Sequence, residues 1–204
     1  MSTDNEIIAR SLHEPGAFSE IFERHVGPVG GYIRRRVGVD AVDDVLSETF
    51  LVAFRRRKAF DPRRESARPW LLGIATRLVK SHRAVEARQW RAFEASASAE
   101  SDSEMPHAVA DSRLDADSAL RELAPRIAAL STKDRDTLLL YAWADLTYEQ
   151  IADALNVPVG TVRSRLNRVR RKLAPPGSRG ATRLTPIVHA MAKEESDVSY
   201  GTSA

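Results

Sequence analysis

Cysteine is absent from all 204 residues. That excludes disulfides, thiolate metal sites and cysteine nucleophiles at a stroke, and it fits a reducing compartment. Long apolar runs are missing too. Nothing approaches the roughly 20 consecutive residues that span a bilayer, and the opening "MSTDNEIIAR" carries acids and lacks the apolar centre of a secretory signal. A soluble protein of the cytoplasm is expected, with no membrane span. No metal-ligand spacing occurs, the five histidines (His13, His25, His82, His107, His189) are scattered, and no glycine-rich loop is placed to cradle phosphate. Paired acids fall at helix ends or in a polar spacer, where capping or solvation accounts for them. The expectation is a binding protein rather than an enzyme, with no cofactor and no metal.

What is present is charge in blocks. The formal net charge of +3 conceals a net of +4 over residues 1–94, −5 over 95–117, +4 over 118–174 and zero over 175–204. Two basic blocks flank an acidic spacer. Basic blocks favour a polyanionic partner, of which nucleic acid is the commonest.

The spacer, "ASASAESDSEMPHAVADSRLDAD", is rich in Ala, Ser and acid and has no sustained apolar period. Such a composition buries too little surface to offset its ordering entropy, so residues 95–117 are expected to be a flexible linker. Residues 175–204 open on helix-breaking Pro-Pro-Gly and end in small polar residues, the pattern of a loose tail; within it "TPIVHAMAKE" has the makings of a short helix.

Both basic blocks read as helical, with no convincing strand alternation. In the first, Phe18, Ile21, Phe22, Val26, Val29, Ile33 and Val37 recur near helical spacing, and Gly27, Pro28, Gly30 and Gly31 are expected to bend or break that helix. Gly38 suits a C-terminal cap and Asp40, with Asp43 three residues on, suits the N-terminus of a second helix over about 41–58. Val42, Val45, Leu46, Thr49, Ala53 and Phe54 form its broad apolar face. "FDPRRESARP" is a proline-bounded loop. A third helix begins near Trp70 and carries Leu71, Ile74, Leu78 and Val85 one or two turns apart.

The second block is better punctuated. Ser131 caps a helix with Asp134 at the third position, and "TKDRDTLLLYAWA" is apolar enough to be buried. Thr147 and Gln150 form a capping box, with Leu146 and Ile151 spaced as a hydrophobic staple. Asn156 tolerates a left-handed turn, Pro158 stops the preceding helix, and a last helix runs from near Val159 to about Leu173. Two helices joined by so tight a turn make a helix-turn-helix. Ile151, Leu155, Val157, Val162 and Leu166 supply its small core. On the last helix Val162, Leu166, Val169 and Leu173 share one face, and Arg163, Arg165, Arg168, Arg170, Arg171 and Lys172 occupy the rest without an acid among them. An ordinary solvated helix mixes both signs and pairs them. An acid-free basic face presents its first turn to base edges in a major groove and its later arginines to phosphate.

At these residues the chain resembles a known family. "LTYEQIADALNVPVGTVRSRLNRVRRKL" looks like the promoter-reading helix-turn-helix of bacterial RNA polymerase sigma factors, and its P-x-G-T-V-x-S-R core is similar to the extracytoplasmic-function (ECF) group. An independent match lies upstream: "DDVLSETFLVAFRR", a short loop, and "RPWLLGIATRLVKSHRAVEARQWRAF" resemble sigma region 2. Both occur in the family's order, over about 17–93 and 120–173. The resemblance implies an all-α fold of two small helical domains, region 2 over 1–94 and region 4 over 118–174, joined by the acidic linker.

It also implies a division of labour. In region 4, Tyr148, Thr161, Arg163, Ser164, Arg165, Arg168, Arg170 and Arg171 would contact the −35 element. In region 2, Phe60, Arg63, Arg64, Arg68, Trp70, Arg77, Lys80, Ser81 and Arg83 would act at the −10 element, where the family captures a base flipped from the non-template strand. Asp44, Val45, Glu48, Thr49, Leu51 and Val52 would dock core RNA polymerase at the clamp helices of its largest subunit, while region 4 engages the flap of the second-largest. An anti-sigma factor is a further implied partner. On the residues alone, Trp70 and Phe60 fit packing as well as stacking, and Trp90 fits either. One departure stands out: Arg77 occupies a place where the family often has Asn, which keeps phosphate affinity but alters hydrogen bonding to a base edge and implies a changed promoter preference.

Two other functions fit parts of the pattern. A stand-alone helix-turn-helix regulator would use its N-terminal block to sense or dimerise, and a helical adaptor would bind a protein partner. The regulator would bind specific duplex DNA without polymerase. The adaptor would tolerate loss of Arg163 and Arg165.

Overall fold

The structure is a computed structural model that describes residues 2–97 and 125–174. The described residues are helices and their connections, without a strand, and the chain divides into two compact units over residues 1–112 and 113–204. The expected all-α class is what is found. The expected tail, including "TPIVHAMAKE", lies outside the described residues, as does the linker beyond Ala97.

The N-terminal unit is built from α1 (Asp4–Ser11), α2 (Ser19–Arg34), α3 (Val42–Arg56) and α4 (Arg68–Ala97), with single 3₁₀ turns at Pro15–Phe18, Val39–Ala41 and Arg57–Ala59. Helix α1 was not foreseen. Its signal is local: Thr3 is extended ahead of the first turn, and the Glu6 carboxylate accepts the Thr3 backbone N–H at 2.9 Å, the return half of a capping box. Ile7 and Ile8 behind it are buried.

Helix α2 runs unbroken through Gly27, Pro28, Gly30 and Gly31, against expectation. Burial decides the matter. Ile21, Val29, Tyr32 and Ile33 are all enclosed, and Gly30 faces Leu46 of α3 at a distance where a Cβ would make ordinary contact, 3.5 Å. Phe22 does not join this core, and Val26 and Val37 join it only in part. The caps assigned to Gly38 and Asp40 are also overturned. Gly38 has an ordinary extended conformation (φ −60°, ψ 159°), and Asp40 sits inside a 3₁₀ turn while α3 starts at Val42 with no side-chain cap. Along α3 the buried stripe is Val42, Val45, Thr49, Phe50 and Ala53.

Helix α4 opens on Arg68 with Pro69 in its first turn, where a missing N–H costs nothing. It buries Leu71, Leu72, Ile74, Ala75, Thr76 and Val79, whereas Leu78 is only half-buried and Val85 is exposed. From residue 83 to 89 every side chain faces solvent, and the helix continues to Ala97, taking in the first three residues of the expected linker. A polar relay joins α2 to α4: Arg36 donates to the Tyr32 hydroxyl, which lies 2.8 Å from Thr76 Oγ1, and Thr76 donates to the Leu72 carbonyl at 2.7 Å.

The C-terminal unit follows its punctuation closely. Its helices are α5 (Thr132–Ala142), α6 (Tyr148–Leu155) and α7 (Val159–Leu173), after a helical turn at 125–128. Ser131 Oγ accepts from Asp134 N at 3.2 Å. Thr147 and Gln150 exchange both bonds of their capping box, at 3.2 and 2.9 Å. Asn156 is left-handed (φ 52°, ψ 55°), and Pro158 stands at the N-cap of α7. Asp145, also left-handed at φ 49°, turns the chain between α5 and α6. Leu146, Ile151, Val162, Leu166, Val169 and Leu173 are buried, while Leu155 and Val157 are half-buried at the edge of that core.

Candidate nucleic-acid interface

In the C-terminal unit the valines and leucines of α7 fix which way its cations point. With Val162, Leu166, Val169 and Leu173 inward, Arg163, Ser164, Arg168, Arg171 and Lys172 are exposed, and Thr161, Arg165 and Arg170 lie at the margin. Gly160 opens the first turn, and a Cβ there would meet nothing within 4 Å. Ser164 Oγ is turned back onto the Thr161 carbonyl at 2.9 Å. The acid-free face of α7 is not acid-free in three dimensions. Asp134, buried in the first turn of α5, accepts Arg168 Nη1 at 2.8 Å. Arg170 Nη2 donates to the Tyr148 hydroxyl at 2.9 Å, and Arg165 Nη1 reaches Thr137 Oγ1 at 3.5 Å. Glu149 stands 3.8 Å from Arg163, but both side chains are mostly exposed, so water and salt screen the pair. The expected shaft of phosphate-gripping arginines is therefore divided. Arg168 and Arg170 are committed to neighbouring helices, while Arg171 and Lys172 face outward.

In the N-terminal unit the loop from Phe60 to Ala67 joins the 3₁₀ turn at Arg57–Ala59 to α4. Phe60 is buried, with its ring centroid 5.2 Å from that of Trp70, so the pair is a packing joint rather than an open platform for a base. Arg63 curls onto Asp61: its backbone N and Nε each lie 3.0 Å, and its Nη2 2.9 Å, from the Asp61 carboxylate. Hydrogen bonds from the Arg63 side chain and backbone hold the Asp61 carboxyl down at about 2. Arg64 and Arg68 are half-buried. On α4, Arg77, Lys80, Ser81 and Arg83 are exposed. Partial desolvation by the surrounding side chains, and next the like charge of Arg56, lower the pKa of the Arg77 guanidinium although the residue is exposed.

On α3 the 3.6-residue period sorts the candidate polymerase contacts. Asp44, Glu48 and Leu51 are exposed and Val52 is half-buried. Val45 and Thr49 belong to the buried stripe, and Thr49 Oγ1 donates to the Val45 carbonyl at 2.7 Å. Those two face the core and are withdrawn as contacts. A residue assigned to the core from its spacing belongs with the exposed group instead: Phe22 is 43% exposed, edge-on to Phe50 with centroids 4.9 Å apart, and Leu51 is 46% exposed.

Residues 21–89 match the family model for sigma-70 region 2, and residues 118–173 match that for sigma-70, region 4. Over 145 residues the chain is 33% identical to the RNA polymerase sigma factor HrpL of Pseudomonas syringae pv. syringae, with 70% of this chain and 77% of HrpL covered. The chain belongs to the sigma-70 family. Its group is the extracytoplasmic-function one: it is 36% identical over 146 residues to the ECF RNA polymerase sigma factor SigC of Mycobacterium tuberculosis (strain CDC 1551 / Oshkosh), covering 66% of this chain and 69% of SigC. Among solved structures, CnrH in complex with the cytosolic domain of CnrY shares the fold, with a TM-score of 0.58 at 22% identity over 84% of this chain and 95% of CnrH.

This sigma factor is thus a subunit that directs RNA polymerase to promoters. The family matches agree with the two regions and their order as read from the sequence. No helix among the described residues is long and apolar enough to cross a membrane, and no group of His, Asp and Glu there could hold a metal ion.

Proposed function

We propose that this sigma factor reads the −35 element with α7 of region 4 and opens the −10 element with the 60–67 loop and the exposed basic face of α4 in region 2. The observation that carries the reading is the first turn of α7. Arg163 and Ser164 are exposed there beside an unobstructed Gly160, on a helix whose buried stripe holds the turn outward. That is the geometry by which a recognition helix addresses base edges. Arg77, Lys80, Ser81 and Arg83 form the surface for the displaced strand, with electrostatics and backbone contact supplying affinity.

Core polymerase docks through Asp44, Glu48, Leu51 and Val52 with Phe22 added, the acids and exposed apolar side chains of region 2 meeting the clamp helices, while region 4 meets the flap. The role is one of binding without catalysis, carried out in the cytoplasm. An anti-sigma factor that covers these surfaces is part of the same reading, supported by a fold neighbour held in complex with another protein's cytosolic domain. Arg77→Asn is expected to change base preference at the −10 element, and an unchanged promoter profile would remove that role.

Run-off transcription with purified core polymerase on a genomic promoter library tests the whole. The expected result is transcripts from a defined promoter class only when both proteins are present. Specific duplex binding by the free protein, with no transcript, would instead make it a stand-alone regulator.

A further inference from the structure

Helix α1 precedes the residues matched to region 2, yet its first turn is bonded to the 60–67 loop. Asp4 is 6% exposed and its carboxylate meets three donors from two other parts of the chain: Arg24 Nη1 at 3.0 Å and His25 Nε2 at 2.7 Å on α2, and the backbone N–H of Ala67 at 2.8 Å. The next residue, Asn5, donates from Nδ2 to the Pro62 carbonyl at 3.0 Å. The far end of α1 is tied as well, since Arg57 Nε donates to the Ser11 carbonyl at 3.2 Å and Arg57 Nη1 to the Phe54 carbonyl at 2.6 Å.

The loop has no ladder of its own. Its shape comes from local bonds, among them Arg64 N to the Asp61 carbonyl at 3.1 Å, the Asp61–Arg63 fork and Arg68 N to Ser66 Oγ at 3.2 Å, together with the two bonds from α1. The bonds from α1 fall near either end, at Pro62 and Ala67, and the stretch between them carries Arg63 and Arg64. A side chain that only packed α1 onto the core would have no need of a carboxylate. A buried carboxylate satisfied by donors on separate elements specifies one arrangement of those elements, because each donor it loses is left without a partner.

We propose that α1 is a brace for the 60–67 loop, and that Asp4 and Asn5 are positioning residues for promoter opening that act through the loop rather than on DNA. The inference rests on the reading of that loop given under Proposed function. It predicts a defect confined to the melting step.

The test uses the full chain assembled with core polymerase and compares Asp4→Ala, Asn5→Asp and, as a control on the opposite end of the same helix, Arg10→Ala, which removes the surface pair with Glu20. Asn5→Asp keeps the acceptor that caps Glu6 N but removes the donor to Pro62, so it remains informative if Asp4→Ala fails to fold. Hydrogen exchange at residues 61–67 is expected to rise about tenfold in Asp4→Ala and several-fold in Asn5→Asp, over and above any rise shared with α3. Run-off from duplex promoters should fall about tenfold or more in Asp4→Ala, while a template pre-opened across the −10 element restores it and core affinity stays within about twofold. Arg10→Ala should match wild type throughout. Equal losses on duplex and pre-opened templates, a matching drop in core affinity, or a loosened loop with normal opening would each overturn the brace. A wild type that transcribes beside an Asn5→Asp variant indistinguishable from it removes the brace alone. A wild-type holoenzyme that makes no transcript from any duplex promoter overturns the sigma reading itself.

Discussion

Asp4 in region 2 and Asp134 in region 4 are both buried carboxylates in the first turn of a helix, yet they are put to different uses. Asp134 takes its cation from α7: Arg168 crosses to it at 2.8 Å, so one arginine of that helix's basic row is used to hold α7 against α5. Asp4 takes side-chain donors from Arg24 and His25 on α2 and a backbone N–H from the loop, and none of the exposed cations of α4. Region 4 thus aligns α7, the reader under the proposed function, by drawing on that helix's own positive charge. Region 2 shapes an irregular loop and leaves Arg77, Lys80 and Arg83 at the surface. A reader of duplex DNA needs orientation more than total charge, whereas a surface for a displaced strand needs both charge and a defined loop.

The most severe way to break this comparison is to remove the acid of region 2. Asp4→Ala leaves the Arg24 and His25 side chains and a buried N–H without an acceptor, and is expected to cost region 2 ~3 kcal/mol with region 4 untouched. Peptide-resolved hydrogen exchange in denaturant measures it, and an equal loss in both units would contradict the assignment. A related effect follows from acid titration. Burial alone would raise the Asp4 carboxyl, but bonds from His25, from the Ala67 N–H and from Arg24 outweigh it and hold the group at about 2 against an ordinary 3.8. The folded carboxyl is the more acidic, so its stabilisation is complete above about pH 4 and disappears as pH falls towards 2, a change of ~2 kcal/mol in region 2. Asp4→Ala should flatten that part of the pH profile.

In region 4 the comparison is sharpened by separating two arginines that look alike in sequence. Arg163→Ala is expected to weaken recognition of the −35 element by ~1–2 kcal/mol on matched promoters and little on mismatched ones. Arg168→Ala should lower the stability of the unit by ~1–2 kcal/mol, because Asp134 loses its partner in a buried site. Competition binding and denaturation on the same proteins tell the two apart, and identical behaviour would undo the distinction. The smallest effect is reserved for the loop. Asp61→Asn releases Arg63 from an exposed fork, so single-strand binding should gain a salt dependence steeper by about one counterion with no change in stability. A slope left unchanged means Arg63 stays away from the strand.

The helix-turn-helix was legible because each of its boundaries is written locally. Ser131, the Thr147–Gln150 box, left-handed Asn156 and Pro158 each act within a turn of where they sit. The same residues could not announce Asp134–Arg168 or Arg170–Tyr148, which join positions 34 and 22 residues apart. In region 2 the period of α3 was visible, but whether Val45 and Thr49 faced a partner or the core depended on where α2 and α4 would pack. Phe22 and Phe60 were sorted by the same packing: the exposed ring had the spacing of a core residue, and the buried one fitted stacking as well as packing until its neighbours were in place. Helix α1 was overlooked although Thr3 and Glu6 are spaced as a capping box, because eight residues seldom form a stable helix without neighbours.

Helix α2 carries a kinetic consequence. Three glycines and an interior proline within the stretch 27–31 oppose its formation by ~6 kcal/mol relative to alanines, and Pro28 has no N–H to offer the Arg24 carbonyl. A segment so poor at nucleating is ordered by its surroundings, so in the folding of region 2 it should join late, after α3 and α4 have presented the surface that receives Ile21, Val29 and Ile33. Truncations along α2 would then show low φ-values, accelerating unfolding while leaving the folding rate nearly unchanged.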